Sequence, residues 1–412
     1  MIKKIILSSA LLFSVFGFSQ EGTSSPYSFY GIGDVKFKGT VENRLMGGVS
    51  IFKDSLRLNL QNPASFSQLS LTAFSAGGSY NYNKLETESV TEKAKRSTLD
   101  YLAVGLPLGK FGAAFGLMPY SAIGYKIRTA NADIGESSKS LTGTGGINKV
   151  FVGLGYKINS NLSIGADVQY NFGKIDTQAT EYIIGVENGT REINTSNASG
   201  VNFNAGLMYQ RKITDKLRLY SGITYSPEAK ITLENERNLA LVNLSGIVVE
   251  ERNVDVVDTK ITLPSKFSFG LGIGEDKKWG AGAEVVFQQS SDMTNRFRDI
   301  NNVRFENSTK YSLGGYYVPN YNSYSNYFER VVYRAGFRFE NTGLVIQDKQ
   351  IDDCAFSLGA SLPVGTTISN LSIGLEFGKK GTVYSGLVRE NYINLSFGLS
   401  ISDRWFVKRK YD

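Results

Sequence analysis

The sequence predicts an all-β protein: a transmembrane antiparallel β-barrel of about 14 strands with an N-terminal plug (hatch) segment. Three observations predict it. From Leu162 to Phe172 the chain alternates without a break, with Leu162, Ile164, Ala166, Val168, Tyr170 and Phe172 on one face and Ser163, Gly165, Asp167, Gln169 and Asn171 on the other. Successive strand side chains point to opposite sides, so this ribbon has one apolar and one polar face. The same dyad recurs along most of the 412 residues. The connections between segments also alternate, short then long, which is the rule for outer-membrane barrels.

Residues 1–19 read as a signal peptide. Lys3 and Lys4 form its charged start, Ile5 to Phe16 its apolar stretch, and Gly17 and Ser19 the small residues of a cut before Gln20. The apolar stretch is too short for a membrane anchor, which needs about 20 residues. No Cys follows it, which argues against lipoprotein processing, and no later stretch is apolar enough for a helical span. Any membrane is therefore crossed by strands.

Residues 20–68 do not alternate. They carry Gly31-Ile32-Gly33, Gly47-Gly48 and Asn62-Pro63-Ala64. Such a segment is either a free periplasmic tail or a plug folded back into the barrel. Its apolar members, among them Tyr27, Phe29, Ile32, Leu45 and Met46, favour packing over disorder.

Residues 69–403 form the barrel. Strands are expected near 71–82, 98–107, 111–119, 149–158, 161–172, 200–211, 216–226, 264–274, 279–289, 309–318, 329–340, 353–362, 369–378 and 391–402. Most approach the ~9–11 residues that a tilted strand needs to cross a bilayer. Short turns are expected at Leu108–Lys110, Asn159–Ser160, Lys212–Asp215, Glu275–Lys278 and Pro363–Thr367, and long polar loops at 83–97, 120–148, 173–199, 227–263, 290–308, 341–352 and 379–390. Pro319–Phe328, rich in Tyr and Asn, is long for a turn. An even strand count leaves both termini in the periplasm, and residues 404–412 form a short basic tail there.

Composition fits a barrel wall: 44 Gly, 23 Tyr and 25 Phe against 8 Pro. Glycine relieves crowding, and aromatic rings sit at the two lipid–water boundaries. The formal net charge of +7 falls to 7 − 2 = +5 once Lys3 and Lys4 are removed, with both signs interspersed, so no basic stripe argues for nucleic acid. The single Cys354 allows no internal disulfide and shares the apolar strand face with Phe356 and Leu358. It reads as a small hydrophobe rather than a reactive thiol.

The chain has no His, which excludes Ser–His and Cys–His nucleophilic pairs and His-based metal sites. It has no phosphate-cradling loop: Gly105 to Lys110 is too short and is followed by Phe111 where a hydroxyl is needed. Acidic pairs such as Glu234/Glu236, Glu250/Glu251 and Asp352/Asp353 lie in expected loops without the spacing of a calcium site. No catalytic residue, metal site or cofactor is expected, and the chain reads as a non-enzyme. The better place to look is the inward register, where Asp167, Gln169, Asn202, Asn204, Arg218, Glu284, Gln288, Arg334, Arg338 and Glu376 face the lumen. Taken singly, each is best read as structural, pairing across strands; together they make the lumen polar.

Gly47-Gly48-Val49-Ser50 through Asn62-Pro63-Ala64 resembles the N-terminal hatch of the outer-membrane long-chain fatty-acid and aromatic-hydrocarbon transporters (FadL/TodX-like), which carry an Asn-Pro-Ala motif at the same place. Leu263-Pro264-Ser265-Lys266-Phe267-Ser268-Phe269-Gly270 resembles the opening of a mid-barrel strand in that family. This chain departs from the family at Ser65-Phe66, where Gly and an aliphatic residue are common, and the family's ligand contacts do not map onto it. The signal ending and the tail from Trp405 to Lys410 resemble proteins of Bacteroidota, in which similar barrels also serve as accessory subunits of secretion and barrel-assembly machines.

The resemblance implies a barrel in the outer-membrane lipid that binds and transports hydrophobic compounds, fatty-acid-like or aromatic, gated by the hatch motif Asn62, Pro63 and Ala64. The alternative is an accessory or shuttle barrel bound to other subunits of an outer-membrane secretion or barrel-assembly complex. The Tyr-rich stretch Tyr311–Tyr333 suits such an interface, though an aromatic girdle explains it equally. A passive pore is disfavoured by the large N-terminal segment.

Overall fold

A computed structural model describes residues 22–129, 133–293, 302–323, 325–364 and 369–403. The expected signal peptide and the basic tail 404–412 lie outside the described residues. Fourteen wall strands follow the chain: β1 Thr72–Glu86, β2 Thr91–Leu108, β3 Phe111–Thr129, β4 Ser137–Lys157, β5 Leu162–Ile183, β6 Asn188–Lys212 and β7 Leu217–Ser226. They continue with β8 Lys266–Glu275, β9 Trp279–Gln288, β10 Ser308–Tyr317, β11 Val332–Ile346, β12 Lys349–Val364, β13 Ser369–Lys380 and β14 Arg389–Asp403. Each pairs antiparallel with the next, and β14 pairs with β1 from Arg389↔Glu86 to Asp403↔Thr72, closing the ring. All fourteen expected strands are present. Among the described residues no helix is long and apolar enough to cross a membrane.

The dyad decides the two faces. Val168 is 49% exposed on the outside while Asp167 and Gln169 are buried on the inside. Phe203, Leu313, Phe356 and Leu358 likewise point outward, as does Cys354. An outside covered with large apolar side chains is unstable in water and stable in lipid.

The strands run well beyond the apolar dyad at the end opposite the short turns. Much of what reads as long loop is strand: β3 and β4 reach from Phe111 to Lys157 with only 130–136 between them, and β5 and β6 leave only 184–187. In these extensions the dyad is inverted: Ile123, Tyr125 and Ile127 point inward and Lys126 and Arg128 outward, so the outer face no longer carries the apolar row. Between β7 and β8 the chain builds a further antiparallel sheet, Ala229–Asn243, Val248–Val254 and Thr259–Leu263, which pairs onto the upper part of β6 through Asn188–Ser199. The stretch Pro319–Phe328 is a connection closed by a 3₁₀ turn, Tyr327–Arg330, with Asn326 as its cap; Tyr324 lies outside the described residues.

Residues of the segment 22–70 pack against inward positions of the wall. Gly22–Asp34 run along the extended end, where Asp34↔Ala122 and Val35↔Ser121 add a short strand to β3. A single helical turn, Val41–Arg44, follows, and the chain then reverses at Gly47 and Gly48, whose φ values of +67° and +98° suit glycine. It descends to a 3₁₀ turn, Pro63–Gln68, and enters β1 at the short-turn end. Val41, Leu45, Leu58, Leu60, Phe66 and Leu69 form one core with the inward wall residues Tyr101, Ala103, Ala114, Met118 and Phe151. Gly22 and Thr23 meet Ala122 and Gly124 at the extended end, whereas Asp403 pairs with Thr72 at the short-turn end. The two chain termini, both expected in the periplasm, lie outside the described residues.

Candidate functional site in the barrel lumen

The wall comes close to the N-terminal segment because several inward positions, among them Gly112, Gly124, Gly165, Gly314 and Gly336, lack side chains. A Cβ at Gly314 or Gly336 would overlap the Met46–Gly47 backbone. Lower down, Asn62 is the cap of the Pro63–Gln68 turn: its Oδ1 accepts from Ala64 N at 3.0 Å, while its Nδ2 donates to Leu207 O at 3.1 Å and Ile223 O at 3.3 Å. The motif thus ties the segment to β6 and β7. Pro63 serves as the first residue of that turn, where its missing N–H costs nothing.

The other expected lumen residues fall into separate groups. Asp167 and Gln169 come together on β5 and continue across the wall as an amide ladder. Asn204 Nδ2 donates to Asp167 Oδ2 at 2.8 Å, Asn202 Nδ2 to Gln169 Oε1 at 3.2 Å, Asn171 Nδ2 to Asn202 Oδ1 at 2.6 Å, and Ser226 Oγ to Asn204 Oδ1 at 3.0 Å. Arg338 and Glu376 meet on the opposite wall at 3.4 Å, with Asp353 at 3.1 Å from the same guanidinium and Tyr392 bridging Arg338 and Asp353 at 2.7 and 2.6 Å. Glu284 accepts from the backbone N–H and the hydroxyl of Ser50, both at 2.9 Å, and so holds the N-terminal segment to β9. Arg334 is buried and donates to Ser361. Arg218 stands apart at the short-turn rim, 3.5 Å from Asp276 and partly exposed. Gln288, half-buried, donates to Ser290 at 2.9 Å.

Sequence reasoning passes over two further sets. Asp34 receives Lys380 at 2.8 Å and Lys36 at 3.3 Å. Burial alone would push its carboxyl up, but the two ammonium groups outweigh burial and hold it well below the usual carboxylate range. Arg44 pairs with Asp100 at 3.0 Å. The second set is four lysines, Lys38, Lys149, Lys266 and Lys310, which line the cavity left at mid-height. Three of them were legible, because Lys149, Lys266 and Lys310 stand in the inward register of β4, β8 and β10. Lys38 lies where no alternation exists.

That cavity holds about 370 Å³ between the upper and lower parts of the N-terminal segment. Its wall is mixed, with Asn202, Asn204, Thr224, Ser226 and Ser268 facing charged groups on the other side. At the extended end the apolar inward residues Ile32, Ile123, Ile147, Ile175, Ile231 and Leu263 pack on one another, joined by Phe29 and Tyr120. Among the described residues no group of His, Cys, Asp and Glu is arranged to hold a metal ion.

A model of the BamG family matches residues 1–412. No curated protein matches the sequence. Among solved structures, the chain is similar to the Pseudomonas putida toluene transporter TodX, with 16% identity over 91% of this chain and 100% of that one and a TM-score of 0.62. It is similar to the CymD monoaromatic hydrocarbon channel at 14% identity, over 89% and 98% of the two chains, with a TM-score of 0.59. A Pseudomonas aeruginosa FadL homologue follows at 14% identity, 90% and 99% coverage and a TM-score of 0.58. At such identities these likenesses establish the fold.

Proposed function

The chain belongs to the BamG family, and from that premise we propose that it is an accessory barrel, a subunit docked in an outer-membrane complex of the barrel-assembly or secretion kind. The filled lumen carries this reading. A conduit for hydrophobic compounds gains its binding energy from apolar surface, at ~25 cal/mol per Å² buried. Here the apolar groups of residues 22–70 are spent on the wall itself, and the space that remains presents lysines, carboxylates and amides. Residues 22–70 then act as a permanent brace, with Asn62, Pro63 and Ala64 as its lower anchor and the groups around Asp167, Glu284, Arg334 and Arg338 as side ties. The chain sits in outer-membrane lipid and meets its partners through its rims.

The test is purification of the tagged full-length chain from outer membranes in mild detergent, alongside uptake of labelled toluene or oleate by cells depleted of it. Co-purification with other barrel-assembly or secretion subunits, with uptake unchanged, is expected. A chain that purifies alone, with uptake lost on depletion, overturns the proposal.

One observation favours a second reading. The fold is shared with a toluene transporter and a hydrocarbon channel, and an apolar cluster around Ile32 and Phe29 stands at the extended end. In that reading the cluster loosens to admit a hydrophobic compound, and the Asn62-Pro63-Ala64 turn is the hinge of a hatch.

A further inference from the structure

Lys38, Lys149, Lys266 and Lys310 approach one cavity from four different elements, and among the described residues none of them forms an ion pair. Lys149 is 3% exposed; its only described partner is the Tyr120 ring, 5.3 Å from its ammonium. Lys310 likewise rests over the Phe37 ring at 5.4 Å. Three carboxylates stand near them without reaching ion-pair distance: Glu340, directly across the β10–β11 ladder from Lys310, Glu284, held by Ser50, and Asp167, held by Gln169 and Asn204. The opposite wall differs, because there Arg338 and Lys380 each face a carboxylate. The four ammonium groups thus share the field of Glu340, Glu284 and Asp167 without closing on any of them. A buried unpaired ammonium is costly and persists only where something offsets it.

We propose that this cavity binds a multiply charged oxyanion of the phosphate class, held by Lys38, Lys149, Lys266 and Lys310. Four ammonium groups suit an anion carrying more than one charge better than a single carboxylate. Thr224 and Ser268 on the same wall share one hydrogen bond at 2.6 Å, which leaves one of the two hydroxyls free to donate, and the cavity has room for phosphate with an attached group. Burial pushes the Lys38 ammonium below its ordinary pKa, with Asp167 pulling it back only in part; a bound anion supplies the missing counter-charge. The phosphate is either free or the headgroup of a lipid. The inference is independent of whether the barrel docks in a complex.

The test uses the full-length protein in a neutral detergent and a buffer free of phosphate. Inorganic phosphate and soluble dihexanoyl phosphatidic acid are titrated separately, with binding read by calorimetry and by the shift of the thermal unfolding midpoint. Saturable binding of either probe, with a rise in the midpoint, is expected. Binding of both assigns a free-phosphate site, and binding of phosphatidic acid alone assigns a headgroup site. Lys149→Met combined with Lys266→Met should weaken binding at least tenfold while raising the midpoint of the anion-free protein. Lys139→Met, at the rim and paired with Glu181, should leave binding unchanged. Absence of binding by both probes overturns the proposal, as does unchanged binding in the double variant; heat-modifiable migration on gels checks that each variant is folded.

Discussion

Single residues in this barrel act by what they allow the N-terminal segment to touch. Gly336 is one such residue. Gly336→Ala places a methyl group into the Met46–Gly47 backbone, and overpacking of this kind costs about 1–3 kcal/mol. The expected outcome is a barrel that still migrates as folded but in which residues 41–52 gain protease sensitivity; unchanged cleavage would show that the wall yields instead. Asp34 gives a pH-dependent case. Its carboxyl is held below the ordinary value of 3.8, so its contribution is present above that pH and is lost as pH falls further through its folded value. The protection factors of residues 22–36, the intrinsic rate at each pH divided by the observed exchange rate, should therefore be flat from neutrality down to about pH 4 and fall below it. Asp34→Asn should lower protection at pH 7 as well, by the about 1.5–3 kcal/mol typical of hydrogen bonds to charged groups.

At the scale of elements, the strand register is tested by charge. Val168→Arg puts a cation into the lipid-facing row of β5 and should cost ~2–4 kcal/mol at the bilayer midplane, seen as loss of assembled barrel. Cys354→Ser, on the same outer surface, should assemble normally. Replacing Ala229–Leu263 by a short turn should leave the wall closed, since β7 and β8 pair directly from Ser226↔Lys266 onward. It removes Ile231, Leu233, Ile261 and Leu263 from the upper apolar cluster, so residues 22–36 should become accessible to protease while the barrel persists. Protection of those residues in the shortened protein would refute the packing argument.

The same elements show what a sequence can reveal. Lipid on one side and a polar lumen on the other impress a period of two on every wall strand, so β5, β8, β13 and β14 are plain to read. Toward the extended end that contrast inverts, with Ile123, Ile175 and Ile231 turned inward, and it fades in Thr177–Ile183, which is strand in the structure and reads as loop because polar and apolar residues mix on its faces. The inward polar residues were legible from register alone, and so were Lys149, Lys266 and Lys310. Which of them meet was not, because Arg338, Asp353 and Glu376 come from three strands whose stagger the pattern does not encode. Lys38 and Asp34 carry no periodic signal at all.

At the scale of the whole molecule, deletion of residues 22–60 empties the lumen and should raise single-channel conductance in a planar bilayer, provided the shortened chain inserts. Equal conductance from a folded deletion would contradict the packing described for Leu45 and Phe66. The contacts of this segment also have a mechanical consequence. Its backbone lies against Gly314 and Gly336 on one wall and is tied to Leu207 and Ile223 on another, so it works as a crossbar between β10–β11 and β6–β7. With β14 paired to β1 along the whole of Arg389–Asp403, a load placed on either wall is shared with the other.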